Sequence, residues 1–591
     1  MIRRTISRVL VANRGEIALR VMRTCREMGI GTVAVYGEGE ERAGHVTYAD
    51  DAWRIPDGPG LPYLRLDALV DIARRAGADA VHPGYGFLAE NAAFALSVEE
   101  AGLVFVGPPA AAIAAMGDKV EARRIATAAG VLPVPGTTEP VEDASAAREW
   151  ADANGYPIAV KASGGGGGRG FRVAMNRDEV EAAFEGSRGE AERYFSNPEV
   201  YLERYIEQPR HIEVQVFADP RGTVVAFPER ECSIQRRHQK LIEETPSTAV
   251  DAELRRNLQD AAIALAKQVD YRGVGTIEFL LDEDGHFYFL EMNTRIQVEH
   301  TVTEMVTGID IVREQIRTAS GETLSFGQDD LAPDGWAIEC RINAEDASRN
   351  FAPATGVIAN YIAPAGFGVR VDSAMRAGDA VLPTYDSMIA KLVVHARTRD
   401  EAISRMLRAL GDYRIEGLPT TIPFHQRVLA EASFVNGETS TTYLTRHPEV
   451  LEDYPASGDV QMDAEEPGPE PLKVLVEVGG RRFDVSVAGL PVNGVARSQS
   501  GRSKRPASPR AGTDRAGGGN DLVSPIQGTV LRVAVETGQV VAAGDLVCVV
   551  EAMKMENEMT AHRDGVIANL AVEAGGTVQI GGVIATIEDA G

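Results

Sequence analysis

Two carboxylates flank a predicted turn in a way that suits a divalent cation. Asp284 and Gly285 lie between two apolar runs, and Asp-Gly in that setting favours a hairpin with a two-residue turn. Counting back from such a turn places Glu278 directly opposite Glu291, where two negative charges repel. Mg²⁺ commonly binds one or two carboxylates together with substrate phosphates. The hairpin therefore predicts a metal site, and a solvated sheet face or a slipped register is the alternative.

Polar residues keep alternating after Glu291. If the segment stays extended, the residues that share the face of Glu291 are Asn293, Arg295, Gln297 and Glu299. Acid, amide and guanidinium groups on one strand face are costly unless that face lines a polar site. Such a site would offer a bidentate anion binder, Arg295, beside a candidate base, Glu299.

A run of five glycines, residues 164–168, separates strand-like residues 158–162 from strand-like residues 170–173. It does not fit the phosphate-loop pattern GxxxxGK followed by Ser or Thr, and strand-like rather than helical sequence follows it. Glycines let backbone N–H groups approach an anion closely, and Lys161 just upstream supplies positive charge. We predict an anion-binding turn, with a hairpin tip of no special function as the alternative.

Lys554 lies between two methionines in the middle of an internal repeat. Residues 528–552 align without gaps with residues 565–589, which predicts a small β-domain of two similar halves with pseudo-two-fold symmetry. A connector between such halves lies at one end of the domain, so Lys554 is predicted at an exposed turn. The alternative is an ordinary surface lysine.

The elements that position these residues can also be predicted. Apolar runs alternate with helical patterns in the N-terminal part, at residues 9–12, 32–36, 80–82 and 104–106. This alternation predicts a parallel, doubly wound sheet. A helix with one apolar face is predicted to start near Asp251.

The composition excludes some classes of protein. Lys and Arg number 60 and Asp and Glu 86, for a net charge of −26, so a mainly electrostatic nucleic-acid binder is excluded. No apolar run approaches the length of a membrane span, and the N-terminus lacks the features of a signal peptide. Four well-separated cysteines indicate a reducing compartment and no structural zinc. We therefore expect a cytoplasmic chain with no membrane association.

Linkers divide the C-terminal part of the chain. Residues 448–472 have the composition of an acidic linker. Residues 473–492 contain a predicted hairpin around two glycines, which is a candidate subunit contact. Residues 493–520 are rich in Gly, Ser, Pro and Arg, which is typical of a flexible tether.

Taken in order, the motifs resemble those of a biotin carboxylase of the ATP-grasp superfamily joined to a biotinyl carrier domain. They are LVANRGEIALRV, HPGYGFLAEN, MGDKV, KASGGGGGRG, RHIEVQV, ERECSIQRRHQKLIEE, GTIEF, EMNTRIQVEHTVTE, ECRINAED and EAMKMEN. The resemblance covers nearly everything except the linkers, and it extends to the α-subunits of biotin-dependent acyl-CoA carboxylases. Residues 37–45 read shorter than the surface loop of that family.

The resemblance implies a multidomain fold of the α/β and α+β classes. It comprises a doubly wound pre-ATP-grasp domain (residues 1–115), an ATP-grasp domain (116–332) with a glycine-rich lid at about 133–205, a biotin carboxylase C-terminal domain (333–447) and a small all-β biotinyl, lipoyl-like domain (521–591). Lipoyl domains are similar in fold, but they usually lack Met on both sides of the lysine.

The resemblance also implies roles for individual residues. Biotin would be attached to Lys554. ATP would be bound by Lys119, Lys161, Gly165, Gly166, Gly167, Glu203, Ile206, His211 and His238. Mg²⁺ or Mn²⁺ would be bound by Glu278, Glu291 and Asn293. Bicarbonate would be bound by Lys240, Arg295, Gln297 and the backbone of Val298. The catalytic residues would be Lys240, Arg295, Glu299 as the base and Arg341, which would stabilise the biotin enolate.

These residue types suit the implied reaction. Bicarbonate must lose a proton before it attacks the γ-phosphorus of ATP, and Glu299 can accept that proton. Metal ions and lysines neutralise charge on the transferring phosphoryl group. The resulting carboxyphosphate must be kept from water, which a glycine-rich lid would achieve. A biotinyl domain on a tether can then visit a second active site.

The implied partners are a biotin protein ligase and a separate carboxyltransferase β-subunit, in a hetero-oligomer of several α and β chains. The residues after 447 are too few for a carboxyltransferase domain, and the expected acceptor is a short-chain acyl-CoA of the acetyl or propionyl type. Two other hypotheses are an ATP-grasp ligase that joins a carboxylate to an amine or thiol, and a carrier or scaffold whose ATP site has decayed.

Overall fold

The computed structural model describes residues 4–58, 60–137, 139–162, 170–195, 198–451, 472–478, 481–487, 520–524, 528–552, 555–578 and 581–588. The chain divides into two compact units, Met1–Tyr454 and Pro455–Gly591. Among the residues described, no helix has both the length and the apolar composition to cross a membrane. All four cysteines are buried and carry free thiols.

A parallel sheet forms the N-terminal part of the first unit. Its strands are β1 (Arg8–Val11), β2 (Gly31–Tyr36), β3 (Asp51–Arg54), β4 (Ala80–His82) and β5 (Val104–Phe105), and its helices are α1 (Gly15–Glu27), α2 (Gly44–Tyr48), α3 (Leu66–Arg75), α4 (Ala92–Glu100) and α5 (Ala110–Gly117). The strand order is β3-β2-β1-β4-β5, with every pair parallel. The predicted doubly wound sheet is confirmed.

The segment 37–45, expected as a surface loop, is partly buried. Glu40 and His45 are 2% and 0% exposed. Glu40 accepts hydrogen bonds from Arg14 Nε at 2.5 Å and from the Tyr63 hydroxyl at 2.9 Å. The neighbouring Glu38, Gly39, Glu41 and Arg42 are exposed, so the segment lies at the surface and is held there by its buried polar side chains.

A small antiparallel sheet follows. The next elements are α6 (Lys119–Ala128), α7 (Ala144–Asn154), β6 (Ile158–Ala162), β7 (Phe171–Ala174), α8 (Val180–Phe195) and β8 (Val200–Arg204). The sheet has the order β7-β6-β8, so the strands predicted on both sides of the glycine run pair with each other. The glycines of that run, including Gly165, Gly166 and Gly167, lie outside the described residues.

A larger sheet carries most of the candidate site residues. The strands that follow β8 are β9 (Arg210–Ala218), β10 (Val224–Ala226), β11 (Arg230–Arg236), β12 (Gln239–Thr245), β13 (Gly273–Leu281), β14 (Phe287–Asn293), β15 (Trp336–Asn343), β16 (Glu345–Asp346), β17 (Ala352–Pro353), β18 (Gly356–Val357), β19 (Asn360–Ile362), β20 (Val369–Ser373), β21 (Ala380–Val381), β22 (Met388–Ala396) and β23 (Arg414–Glu416). The order β14-β13-β9-β11-β12-β15-β22-β20, with β10 beside β9, makes one nine-stranded sheet.

Helices pack on this sheet and complete the first unit. They are α9 (Ala252–Gln268), α10 (His300–Thr307), α11 (Ile311–Ala319), α12 (Arg399–Asp412), α13 (Ile422–Ala430), α14 (Ala432–Val435) and α15 (Tyr443–Arg446). Short 3₁₀ turns occur at Pro62–Leu64, Arg177–Glu179, Gln328–Asp330, Ala347–Arg349 and Pro448–Val450. Helix α9 was predicted: the Asp251 side chain caps it by accepting from Leu254 N at 2.8 Å, and its buried face joins Val214 and Ile277 of the sheet in one core.

The β13–β14 hairpin pairs Glu278 with Glu291, as predicted, but the turn and the strand pairing that produce this register differ from the prediction. Asp282 N donates to His286 O at 2.9 Å, so the turn has three residues rather than the predicted two, and Gly285 takes a φ of 84°. That turn alone would shift the register by one residue. A bulge at Leu290, between Phe289 and Glu291, restores it.

Within its described residues, the second unit contains two four-stranded sheets and a separate hairpin. Its strands are β24 (Leu472–Val478), β25 (Arg481–Val487), β26 (Asp521–Val523), β27 (Gly528–Val533), β28 (Val540–Val541), β29 (Leu546–Ala552), β30 (Met555–Thr560), β31 (Gly565–Leu570), β32 (Thr577–Val578) and β33 (Val583–Glu588). Strands β24 and β25 form the predicted hairpin. The sheets have the orders β26-β33-β31-β28 and β30-β29-β27-β32, in which each strand occupies the place of its repeat counterpart. The predicted two-fold pattern is therefore confirmed.

Candidate functional site

A buried lysine lies at the centre of the site. Nζ of Lys240, on β12, lies 2.5 Å from Glu213 Oε2, 2.9 Å from Glu278 Oε1 and 2.7 Å from Glu299 Oε1. Strands β9 and β13 and the start of α10 supply these carboxylates. Burial opposes the charge of Lys240, but the three carboxylates raise its pKa well above the usual range.

Glu278 contacts several other side chains in addition to Lys240. His211 Nε2 lies 2.9 Å from its Oε2, and its Oε1 accepts from Asn293 at 2.9 Å and Gln297 at 3.1 Å. Burial opposes ionisation, but Lys240 and His211 hold the pKa of Glu278 well below its usual range. Glu278 is therefore ionised.

The Glu278–Glu291 pair fits a divalent metal. The two residues lie directly opposite on neighbouring strands. Partial loss of hydration and the charge of Glu278 raise the pKa of Glu291, although the residue is exposed. With the neighbouring amide of Asn293 they form an oxygen donor set of the kind that Mg²⁺ and Mn²⁺ prefer. A cation held there would remove the repulsion between the two carboxylates.

Arg295 lies beside this pair, although the strand does not continue to it. Strand β14 ends at Asn293, so the extended segment predicted through Glu299 is wrong. The chain turns there and points its side chains inward: Arg295 donates to Glu90 at 2.8 Å, to Asn293 Oδ1 at 2.7 Å and to Gln297 Oε1 at 3.1 Å. The predicted polar residues converge by folding back rather than by alternation.

Glu299 has both carboxylate oxygens paired. Oε1 accepts from Lys240 and Oε2 accepts from Arg341 Nη2 at 2.9 Å. Its side chain is 0% exposed. Burial opposes ionisation, but Lys240 and Arg341 keep the pKa of Glu299 well below its usual range. Glu299 is ionised at neutral pH, and it becomes a stronger base when one of those cations is drawn away.

The described residues that were predicted to bind ATP come from several elements of the first unit. Lys161 on β6 contacts Glu203 on β8, which also accepts from Arg123 at 2.6 Å. Ile206 packs with Val134 and Tyr288 in a small apolar cluster. Lys119 begins α6, and its charge offsets a small part of the rise in the pKa of Glu291.

His238 lies in a strained turn between β11 and β12. Arg237 and His238 have φ angles of 48° and 64°, in the left-handed region that non-glycine residues rarely adopt. Arg236 braces the turn: its guanidinium donates to Asn350 O at 2.6 Å and to Asn350 Oδ1 at 2.8 Å. Burial, then the charges of His211 and Lys161, lower the pKa of His238, so its ring is neutral at physiological pH.

A second buried lysine holds the backbone at Val298. Lys391 on β22 is 0% exposed, and its Nζ donates to Val298 O at 3.0 Å. The same Nζ lies 3.2 Å from Glu16 of α1, which accepts from the Tyr85 hydroxyl. The loop before α10 is therefore tied through Lys391 to both α1 and β22.

Two groups of candidate residues are not placed, and several others were not predicted. Lys554, like the glycine run, lies outside the described residues, although the flanking Ala552 and Met555 pair across β29 and β30. Sequence reasoning did not single out Glu213, Glu243 or Arg230. A signal was present in β9, where His211, Glu213 and Gln215 alternate with apolar residues as polar residues do after Glu291.

Four families match successive parts of the chain. They are described as "Biotin carboxylase, N-terminal domain" for residues 5–113, "Carbamoyl-phosphate synthase L chain, ATP binding domain" for 118–326, "Biotin carboxylase C-terminal domain" for 339–446 and "Biotin-requiring enzyme" for 520–587. This succession confirms the predicted fold class.

Individual proteins are similar over most of the chain. The biotin-dependent acyl-coenzyme A carboxylase alpha3 subunit of Mycobacterium leprae is 44% identical over 576 residues, 95% of each chain. A pyruvate carboxylase subunit of Methanothermobacter thermautotrophicus is 50% identical over 75% of this chain and 90% of its own. The crystal structure of the biotin carboxylase domain dimer of Hydrogenobacter thermophilus 2-oxoglutarate carboxylase, in complex with MgADP, ADP and bicarbonate, superposes with a TM-score of 0.71 at 48% identity, covering 76% of this chain and 99% of that one.

Proposed function

We propose the function of this chain from one premise: it belongs to the biotin carboxylase family and carries a biotinyl domain on the same chain. It is an ATP-grasp enzyme that carboxylates biotin with ATP and bicarbonate. We further propose that Lys554 carries the biotin, attached by a biotin protein ligase, and that the product goes to a separate carboxyltransferase β-subunit. The proposed acceptor is a short-chain acyl-CoA of the acetyl or propionyl type.

The proposed chemistry rests on the Lys240 cluster, which comprises Lys240, Glu213, Glu278 and Glu299. One cation joins the ionised Glu278 to the ionised Glu299, and the guanidinium of Arg295 lies beside them. Bicarbonate would bind to Lys240, Arg295 and Gln297, with the backbone of Val298 held in place by Lys391. The anion would compete with Glu299 for Lys240, and this competition raises the proton affinity of Glu299 as the substrate arrives.

The nucleotide and the metal would lie on the side of Glu278 and Glu291. Lys119, Lys161 and the glycine run would contact the phosphates, and Glu203, Ile206, His211 and His238 would line the rest of the nucleotide site. A divalent metal held by Glu278, Glu291 and Asn293 would neutralise phosphate charge. Biotin supplies a ureido nitrogen that accepts the carboxyl group, and Arg341 would direct its guanidinium to the ureido oxygen.

The acyl-CoA assignment is supported by the share of this chain that each relative matches. The acyl-CoA carboxylase subunit matches 95% of this chain, including its biotinyl part, whereas the pyruvate and 2-oxoglutarate carboxylase subunits match 75%. The chain would therefore assemble with a carboxyltransferase that recognises coenzyme A.

Substitution of Glu299 tests the base. Glu299→Gln keeps the size and removes the carboxylate, so we expect bicarbonate-dependent phosphate release from ATP to fall by at least about a hundredfold. Glu283→Gln, at an exposed position of the β13–β14 turn, is the matched control and should keep full activity. Normal turnover in Glu299→Gln would contradict the assignment.

Transfer of the labelled carboxyl group to alternative acceptors tests which kind of carboxyltransferase this chain serves. The biotinylated chain is supplied with ATP, Mg²⁺ and labelled bicarbonate and combined with its cognate carboxyltransferase. Acetyl-CoA, propionyl-CoA, pyruvate or 2-oxoglutarate is then added as the acceptor. We expect label in an acyl-CoA. Label in pyruvate or 2-oxoglutarate instead would overturn the acyl-CoA assignment and leave the biotin carboxylase activity standing.

A further inference from the structure

Two carboxylates next to the candidate base face each other in the sheet. Glu243 on β12 and Glu339 on β15 are directly opposed in an antiparallel register, which places their side chains on the same face. Both residues are 0% exposed. Helix α10 packs across β12, β15 and β22, so the pair lies between the sheet and the helix that starts just after Glu299.

Each carboxylate has one oxygen engaged and one oxygen without a partner. Arg341 Nε donates to Glu243 Oε1 at 2.6 Å, and the Thr301 hydroxyl donates to Glu339 Oε2. Within the described part of the chain, neither Glu243 Oε2 nor Glu339 Oε1 has a hydrogen-bond partner. Buried polar atoms are rarely left unpaired, and a single proton between two opposed carboxylates would satisfy both atoms.

The neighbouring charges do not supply a cation for each carboxylate. Arg341 on β15 is shared with Glu299, and Lys240 on β12 is already shared among three carboxylates. Lys391 on β22, the other cation that acts on Glu339, is paired with Glu16. Helix α12 buries only apolar residues. Burial raises the pKa of Glu243 to about 7 despite Arg341, and burial and then the charge of Glu243 raise the pKa of Glu339 well above its usual range despite Lys391.

We propose that Glu243 and Glu339 share one proton, and that this carboxyl–carboxylate pair is a positioning element that holds Arg341 against Glu299. Glu243 accepts a hydrogen bond from Arg341, and Glu339 accepts one from Thr301. Thr301 lies two residues after Glu299, in the first turn of α10. The shared proton links the Glu243–Arg341 contact to the Glu339–Thr301 contact. It thereby sets the distance between Arg341 and Glu299. This role rests on the proposed function, because that function assigns Arg341 and Glu299 to the reaction.

The direction of the pH dependence follows from the shared proton. Below the pKa of the pair, one proton is held and the two carboxyl groups attract. As the pH rises through that pKa, the proton leaves and both groups become negative. They then repel, and the extra negative charge draws Arg341 away from Glu299. Arg341 then leaves the position from which it would reach the ureido oxygen of biotin. Activity should therefore decline on the alkaline side, even though Glu299 becomes a stronger base as Arg341 moves away.

Infrared difference spectroscopy of the full chain in D₂O tests the proton directly and without substrate. The band of a protonated carboxyl group should be present in the wild type at neutral pH and should lose intensity in Glu339→Gln. Glu416→Gln, at an exposed position of β23, should leave the band unchanged. If Glu339→Gln does not fold, Glu243→Gln should lose the same band. An unchanged band in a folded variant at either position overturns the shared proton, whatever becomes of the proposed function.

Kinetics test the positioning role. The amide of Glu339→Gln can donate to Glu243 at every pH, so we expect bicarbonate-dependent phosphate release near the wild-type rate at neutral pH, with the alkaline decline moved up by at least about one pH unit. Glu339→Leu cannot donate and should reduce kcat by roughly tenfold. An alkaline limb that does not move in Glu339→Gln, or equal losses in both variants, would show that the pair is only structural.

Discussion

At the scale of single residues, the site works by sharing cations among carboxylates. Lys240 serves three carboxylates and Arg341 serves two. A buried ion pair that loses one partner leaves a charge without hydration. Lys240 therefore controls the ionisation of both the candidate base, Glu299, and the candidate metal ligand, Glu278, whereas Arg341 acts on Glu299.

Removing Lys240 should disable the site. Lys240→Met keeps the apolar stem but leaves Glu213, Glu278 and Glu299 without their common cation. We expect bicarbonate-dependent phosphate release to fall by at least about a hundredfold and the free energy of unfolding to fall by about 3–5 kcal/mol. Urea denaturation and a phosphate assay measure the two effects. Lys267→Met, exposed on α9, should change neither, and full activity in Lys240→Met would rule out a role for Lys240 in the reaction.

At the scale of elements, the β11–β12 turn shows how strain is held at the site. Two non-glycine residues in the left-handed region cost free energy, and the contacts of Arg236 with Asn350 and with the face of the Phe351 ring, 4.9 Å away, offset that cost. The turn presents His238 to the predicted nucleotide site. Its conformation therefore depends on residues from the C-terminal part of the first unit.

Loosening this turn should weaken ATP binding. Arg236→Ala removes the brace, so we expect KM for ATP to rise by roughly tenfold while kcat changes much less. Glycine adopts a positive φ without strain, so adding Arg237→Gly should restore most of the lost affinity. Steady-state kinetics measure both effects, with the exposed Arg221→Ala as the control. If the glycine brings no recovery, Arg236 does not act through the turn.

At the scale of the whole molecule, buried neutral histidines make the first unit sensitive to acid. His45, His82 and His425 are all 0% exposed, and burial lowers the pKa of each from 6.5 to about 4. Between those two values the unfolded chain binds protons that the folded chain does not. Stability therefore rises with pH across this window and is lost as the pH falls from about 6.5 towards 4.

Acidification should show this loss before most carboxylates titrate. We expect each of the three histidines to reduce the free energy of unfolding at pH 5 by on the order of 2 kcal/mol relative to pH 7. Urea unfolding at the two pH values measures the drop. His82→Asn should make the drop smaller, whereas His286→Gln, in an exposed turn, should not. An identical drop in His82→Asn would mean that His82 is protonated in the folded state.

Features that depend only on neighbouring residues along the chain could be predicted before the structure was known. The β/α alternation, helix α9 with its Asp251 cap, the flanks of the glycine run and the two-fold repeat of the second unit were all predictable, because periodicity and capping are local. The pairing of Glu278 with Glu291 was also predicted, although the three-residue turn and the bulge at Leu290 had to cancel for the prediction to hold. The order of the motifs was enough to identify the family.

The tertiary structure alone decided which polar residues share a cation or a proton. Glu213, Glu243 and Glu339 lie in strands whose sequences also suit a solvated sheet face, and the run around Lys240 could equally be a charged surface. Their roles depend on which strands become neighbours and on the turn after Asn293, which points Arg295 and Glu299 inward. These contacts join residues far apart in the chain, and the low polarity of the interior then sets their charges, so no local pattern reveals them.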